Sequence, residues 1–216
     1  MAWFTRFTRF GDMHLVYGQE ANMSCGIASV MMCVFKINKL APGTTSVTVE
    51  QDICKKYAAA MGSAYSPETS GTYPQGLATV LNAFTKGNWQ WHQTPPSGVP
   101  QALIDQVGLT SGLGPTVEVN PVILGVDWDQ GGAHWVVVDT IRELLGSQSA
   151  TICDPWDTNV HIQKFTIGSA FVYDAASGGF AIDCWGSNKG QTKPYQGNAA
   201  RGQVKTWGMI YRDSVV

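Results

Sequence analysis

The sequence predicts an α+β protein, and three observations carry that expectation. Apolar residues recur at helical spacing through much of the first 115 residues. From about Pro115 onward, alternating or β-branched runs separated by Gly, Asp and Asn turns take over. The chain has 216 residues, 44% hydrophobic and only 14% charged, which supplies enough apolar material for a domain of two halves. The expected organisation is a single domain over 1–216, with a helical half at approximately 1–115, a β half at 116–216 and a cleft between them.

Taken in order, the opening stretch "MAWFTRFTRFGDMH" places Phe4, Phe7 and Phe10 three residues apart. It is too short and too weakly amphipathic for a membrane helix and reads as an arm packed on the domain. Arg6 and Arg9 interrupt it, so it lacks the apolar core of a secretory signal. The expectation is a protein made in the cytosol without a cleaved signal, with export as an effector by a dedicated machine left open.

From Cys25, "CGIASVMMCVFKI" sets Ile27, Val30, Met31 and Val34 on one helical face, with Asn22 or Ser24 to cap it. "TVEQDICKKYAAAMG" is a second helix ended by Gly62, and "SAYSPETSGTYP" a polar loop. "QGLATVLNAFTKG" is a third helix with Leu77, Val80, Leu81 and Phe84 on one side. "NWQWHQ" reads as a short strand and "GVPQALIDQVGL" as a short helix. In the second half "NPVILGVDW", "AHWVVVDTI", "SATICD" and "NVHIQKFTI" read as strands. "GFAIDCW" and "VKTWGMIY" add further strands, and residues 185–202 form a polar loop.

Composition removes several function classes. The formal net charge is -2 and no basic run exists, which argues against a nucleic-acid partner. No apolar stretch reaches the length of a membrane span. Five cysteines form an odd, widely spaced set without a CxxC pair, which argues against a disulfide framework and a zinc knuckle. The odd count points to a reducing compartment or to one reactive thiol.

Cys25 is the candidate for that thiol. A sulfur at a helix start lies near unpaired N–H groups and the positive end of the helix dipole, both of which favour the thiolate. A thiolate nucleophile needs a base, and His134 opens the apolar strand "HWVVVD" after the turn-rich "DWDQGGA". One strand later Asp154 ends a β run before Pro155. Antiparallel pairing of the two strands would bring Asp154 to the second N–H of His134 and fix its tautomer. Gln19, upstream of Cys25, would lend an amide N–H to the developing oxyanion beside the Cys25 backbone N–H.

The runs "QEANMSCGIAS", "HWVVVD" and "DPW" resemble papain-like cysteine peptidases, and are similar to their bacterial double-glycine-leader (C39-type) and effector branches. The resemblance implies a papain-like fold, with Cys25 as nucleophile, His134 as general base, Asp154 as the orienting acid and Gln19 in the oxyanion hole. It further implies that Trp156 shields the third member's hydrogen bond to the histidine. The pair after the nucleophile departs from the family: Gly26-Ile27 stands where an aromatic or proline-containing pair is more usual.

The expected activity is peptide-bond hydrolysis by a Cys-His-Asp thiol protease that needs no cofactor and no metal. Its partner would be a protein or peptide substrate and, if the protein is a toxin, a cognate inhibitor or immunity protein. The same machinery would serve an amidase, deamidase or transglutaminase acting on glutamine or peptidoglycan amides. An inactive papain-fold binding module is the alternative of a different class. Trp128 and Trp135, flanking the His134 loop, and Trp156 are the substrate-contact candidates. Cys33, Cys54, Cys153 and Cys184 are expected to be structural, and His14, His92 and His161 to be surface or satisfied side chains. Asp127 and Asp129 lack the further ligands of a calcium loop and are expected in a turn lining the cleft.

Overall fold

The computed structural model describes residues 3–41, 43, 45–112, 120–175, 181–183 and 201–213. Cys184, most of the polar 185–202 segment and the expected boundary near Pro115 lie outside these residues. Among the described residues four α-helices are present: α1 (Cys25–Ile37), α2 (Thr45–Met61), α3 (Pro74–Phe84) and α4 (Val99–Val107). All four were expected, and Gly62 ends α2 in a left-handed conformation, φ 65°.

The strands number β1 (Trp3–Thr8), β2 (Met13–Tyr17), β3 (Asn88–His92), β4 (Leu109–Ser111), β5 (Val122–Trp128) and β6 (Ala133–Leu144). They continue with β7 (Ser147–Asp154), β8 (Asn159–Phe165), β9 (Val172–Asp174), β10 (Ala181–Asp183) and β11 (Arg201–Asp213). An eight-stranded sheet runs β3-β11-β5-β6-β7-β8, with β4 on β6 and β9 on β11; β10-β1-β2 form a smaller one. The mixture of helix and sheet is α+β, as expected.

Strand alternation divides the large sheet cleanly. Ile123, Trp135, Val137, Cys153 and Ile210 face α1 and α3, where Ile27, Val30, Met31, Leu77 and Leu81 complete a fully buried layer. Val122, Leu124, Val126, Val136, Val138 and Ile152 point the other way, under Val99 and Leu103 of α4. The core is therefore two apolar layers with the sheet between them.

The division into a helical and a β half is looser in the fold than along the chain. β3 belongs to the first half but pairs with β11 at the C-terminus, Trp91 opposite Ile210. The N-terminal arm is a β-hairpin in which the inward residues are Phe4, Arg6 and Thr8. Arg6 points inward because its Nε donates to the Thr158 carbonyl at 3.0 Å. Trp3 then packs its ring on Tyr17 and Phe35, with centroids 4.9 and 4.6 Å away. Among the described residues no helix is long and apolar enough to cross a membrane.

Candidate active site

Cys25 is the first residue of α1, and Ser24 occupies the cap position. The Ser24 hydroxyl is turned back into the preceding loop, accepting from Ala21 N at 3.2 Å and donating to Ala21 O at 3.0 Å. The Ser24 side chain makes no capping hydrogen bond to the first turn of α1. The half-buried Cys25 sulfur stands at this helix start.

His134 reaches this sulfur from the sheet. β5 and β6 form a hairpin whose turn is set by Gly131 and Gly132 at φ 94° and 86°, and His134 is the second residue of β6. The pairing of Val137 with Cys153 brings the end of β7 beside the start of β6. Asp154 Oδ1 consequently lies 2.8 Å from His134 Nε2. With Nε2 engaged, Nδ1 is the nitrogen left for Cys25, and the two side chains are within hydrogen-bonding reach.

Electrostatics couple the three groups. Burial alone would depress the His134 pKa, but the Asp154 carboxylate and the Cys25 sulfur outweigh it and raise the imidazole to about 10. Burial works against the Asp154 anion, yet His134 and the Tyr173 hydroxyl hold it well below the ordinary carboxylate range. An imidazolium flanked by carboxylate and sulfur is thus the stable state near neutrality.

Asp154 is fully buried, so its remaining lone pairs need donors. Trp156 N donates to Oδ1 at 2.8 Å and the Tyr173 hydroxyl to Oδ2 at 2.6 Å. Trp128 stacks on the His134 ring, 5.6 Å between centroids and 18° from parallel, and also meets Tyr173 at 5.9 Å. Trp128, expected as a substrate contact, thereby also holds the imidazole. Trp156 fixes the carboxylate through its backbone and lines the cleft with its side chain. The sequence reading missed Tyr173, which stands on the three-residue strand β9. Tyr173→Phe is expected to remove one buried, charge-assisted hydrogen bond to the Asp154 carboxylate, costing about 1.5–3 kcal/mol in urea denaturation near neutral pH. A loss below about 0.5 kcal/mol would mean that the hydroxyl does not support Asp154.

Gln19 is buried at the mouth of the same cleft, 6% exposed. Its backbone N–H donates to Pro155 O at 2.9 Å, tying the glutamine loop to the Asp154 turn. Nε2 donates to the carbonyls of Ala21 and Asn22 at 3.0 and 3.3 Å, while Oε1 has no partner among the described residues. This orientation differs from a side chain aimed wholly at an oxyanion. The flipped amide would set Oε1 against two carbonyls, so the hydrogen bonds fix it.

The Gly26 departure has a steric cause. A Cβ there would lie 2.0 Å from Thr72 Oγ1 and 3.1 Å from Trp135 Cδ1. The loop before α3 and the sheet therefore occupy the space that a side chain after Cys25 would take. Trp135 is buried and donates its indole N–H to Thr72 O at 3.2 Å.

The cleft has a volume of about 1160 Å³ and contains Gln19, Cys25 and His134 with Trp128, Trp135 and Trp156, so all the expected substrate contacts border it. Gln130 and Gly131 of the β5–β6 turn also line it. Asp127 has another task. Its Oδ2 accepts from Lys205 N and Thr206 N at 3.2 and 2.8 Å, at the bulge where β11 shifts register against β5. That bulge presents Trp207 to the cleft.

The remaining histidines are paired. His92 lies 3.3 Å from Asp213 and stacks on Tyr211; His161 Nε2 lies 2.8 Å from Asp157 Oδ2, beside Tyr173. His14 Nδ1 is 2.9 Å from Asp139, which also takes the Lys36 ammonium; that ammonium reaches Cys153 Sγ at 3.4 Å. His14, Asp139 and Cys153 are close enough together to ligate a metal, as are Asp154, Asp157 and His161. In the first group Lys36 already supplies the cation, and the second contains the carboxylate bound to His134. Cys33 is inert in the core, its thiol pushed up to about 12 by burial, and burial raises Cys54 to about 11.

Comparison with protein-family models gives no match for this chain, and no curated protein matches its sequence.

Proposed function

We propose that the protein is a papain-like cysteine hydrolase acting on peptide bonds. The observation that carries this reading is the meeting of Cys25 and His134 on the wall of one cleft, with Nε2 of His134 on the buried Asp154 carboxylate behind them. An inert buried cysteine has no need of such partners.

The chemistry follows from the array. The Cys25 thiolate attacks the scissile carbonyl carbon, and the oxyanion forms beside the Cys25 N–H at the start of α1. Ala21 O and Asn22 O can share one Gln19 N–H as a three-centre bond, which leaves its second N–H for the oxyanion. The His134 imidazolium gives its Nδ1 proton to the leaving amine, and the peptide C–N bond breaks. Water, deprotonated by Nδ1, then attacks the thioester and frees the acid and Cys25. Asp154 holds the ring through both steps and stays ionised.

The test is digestion of a peptide library generated from a denatured proteome, with new termini read by mass spectrometry. Termini produced by the wild type and absent with His134→Ala support the reading. An unchanged library with both proteins contradicts peptide hydrolysis.

A further inference from the structure

The catalytic groups account for one wall of the cleft; the helical side has a different character. Among the described residues no Asp, Glu, Lys or Arg side chain lines the cavity. Tyr57, Tyr65, Met61 and Tyr73 from α2 and the following loop face it together with Trp207 from the β11 bulge. Tyr57 and Tyr65 meet edge to face at 4.8 Å, and Tyr73 and Trp207 lie 5.8 Å apart. Such rings leave edges and faces suited to a further aromatic ring.

Three polar atoms in this wall are shut from solvent and have no partner among the described residues: Gln19 Oε1, Tyr65 Oη and Thr72 Oγ1. Gln19 and Thr72 are each more than nine-tenths buried, and all three residues line the cleft. The contrast with neighbouring groups is informative. The Tyr57 hydroxyl accepts from Tyr73 N at 2.7 Å, and the Thr72 carbonyl accepts the Trp135 indole N–H. Neighbouring polar atoms are thus satisfied within the protein, while these three, on residues that line the cavity, have no partner among the described residues. They offer one acceptor and two hydroxyls, a pattern that neutral amide and hydroxyl groups complete. A charged side chain entering this helical wall would lose its hydration, and no described Asp, Glu, Lys or Arg side chain lines the cavity to pair with it.

We infer that this wall binds an uncharged peptide segment bearing an aromatic side chain, and that Tyr65 and Thr72 are its specificity-determining contacts. The cavity exceeds the ~300–1,000 Å³ of a usual small-molecule site, which suits several peptide residues. The inference adds a substrate class to the proposed hydrolase and rests on that reading for the reaction, though not for binding.

The experiment separates the two. Cys25→Ala protein is titrated calorimetrically with acetylated, amidated tetrapeptides on an alanine background, carrying Tyr, Phe, Leu, Glu or Lys at each position in turn. Tyr or Phe at one position should bind at least about tenfold more tightly than Glu or Lys there. Adding Tyr65→Phe or Thr72→Val should weaken that peptide about three- to tenfold while the Tm stays level or rises, because each removes a hydroxyl that is unpaired in the free protein. Equal binding of charged peptides, no binding of any neutral peptide, or unchanged affinity in both hydroxyl variants overturns the inference. So does a marked fall in Tm in both, which would assign the hydroxyls to the fold. Tight aromatic-peptide binding with no cleavage of the same peptides by wild type would remove the hydrolase reading and leave this one standing.

Discussion

Replacing Cys25 with alanine is expected to lower peptide hydrolysis by at least about 10⁴-fold, because it removes the proposed attacking atom beside His134. Stability should change by no more than about 1 kcal/mol, since the side chain is half-buried and lies at a helix start. The pairing of the two results is what discriminates. A core cysteine truncated to alanine would lose stability and leave activity to follow folding; a nucleophile does the reverse. Asp154→Asn should reduce the rate less, because it alters the orientation and charge behind His134 without removing the attacking atom. Activity equal to wild type in that variant would remove Asp154 from the mechanism.

Asp139→Ala carries the largest expected cost in stability, about 3–5 kcal/mol in denaturant unfolding. Asp139 is buried where the β6–β7 pairing shifts register between Val138 and Thr140, and it accepts both the Lys36 ammonium and His14. Those cations come from the last turn of α1 and from β2, so one carboxylate joins the hairpin, the nucleophile's helix and the sheet. Removing it leaves two buried cations with nothing opposite them. The pH dependence has a defined sign. Burial opposes the Asp139 anion, but His14 and Lys36 hold its pKa far below the unfolded value of 3.8. Its contribution is therefore present above about pH 4 and fades as the pH falls further. Burial lowers the His14 pKa, but Asp139 and Cys153 raise it to about 10 from 6.5, so that contribution is full below 6.5 and fades as the pH rises through about 10. The stability gap between wild type and Asp139→Ala should be widest between about pH 5 and 6.5 and should narrow on either side. A gap independent of pH would mean that the loss is one of packing and not of charge.

Much of this architecture is readable along the chain because α1 and β5 are almost wholly apolar where they are buried, and Gly131 and Gly132 mark the β5–β6 turn. The N-terminal arm misleads for a specific reason. Its aromatic residues repeat every three positions, whereas the inward set is Phe4, Arg6 and Thr8, a period of two that includes a charged side chain. The Thr158 carbonyl, far along the chain, accepts from that inward arginine, which also lies over the Phe4 ring. The charged core cluster is hidden in the same way, since His14, Lys36 and Asp139 meet across more than 100 residues.

The candidate site reads along the chain as Gln19, Cys25, His134 and Asp154, and the structure sets Cys25 and His134 on one cleft with Asp154 on the histidine. Its supports do not. Tyr173 sits on a three-residue strand and acts through one hydroxyl, while Tyr65 and Thr72 lie in a polar loop whose composition gives no sign of a cleft wall. Asp127 looked like part of the cleft turn and instead pins the bulge that delivers Trp207.

The reading of Cys25 as a nucleophile paired with His134 is tested by the rate of iodoacetamide alkylation at Cys25 as a function of pH. Peptide mass spectrometry separates Cys25 from the other thiols in the same sample. Fast, selective labelling of Cys25 at mildly acidic pH is expected in wild type, and markedly slower labelling in His134→Ala. A wild-type Cys25 that gains reactivity only above about pH 8, unaffected by His134→Ala, would contradict it.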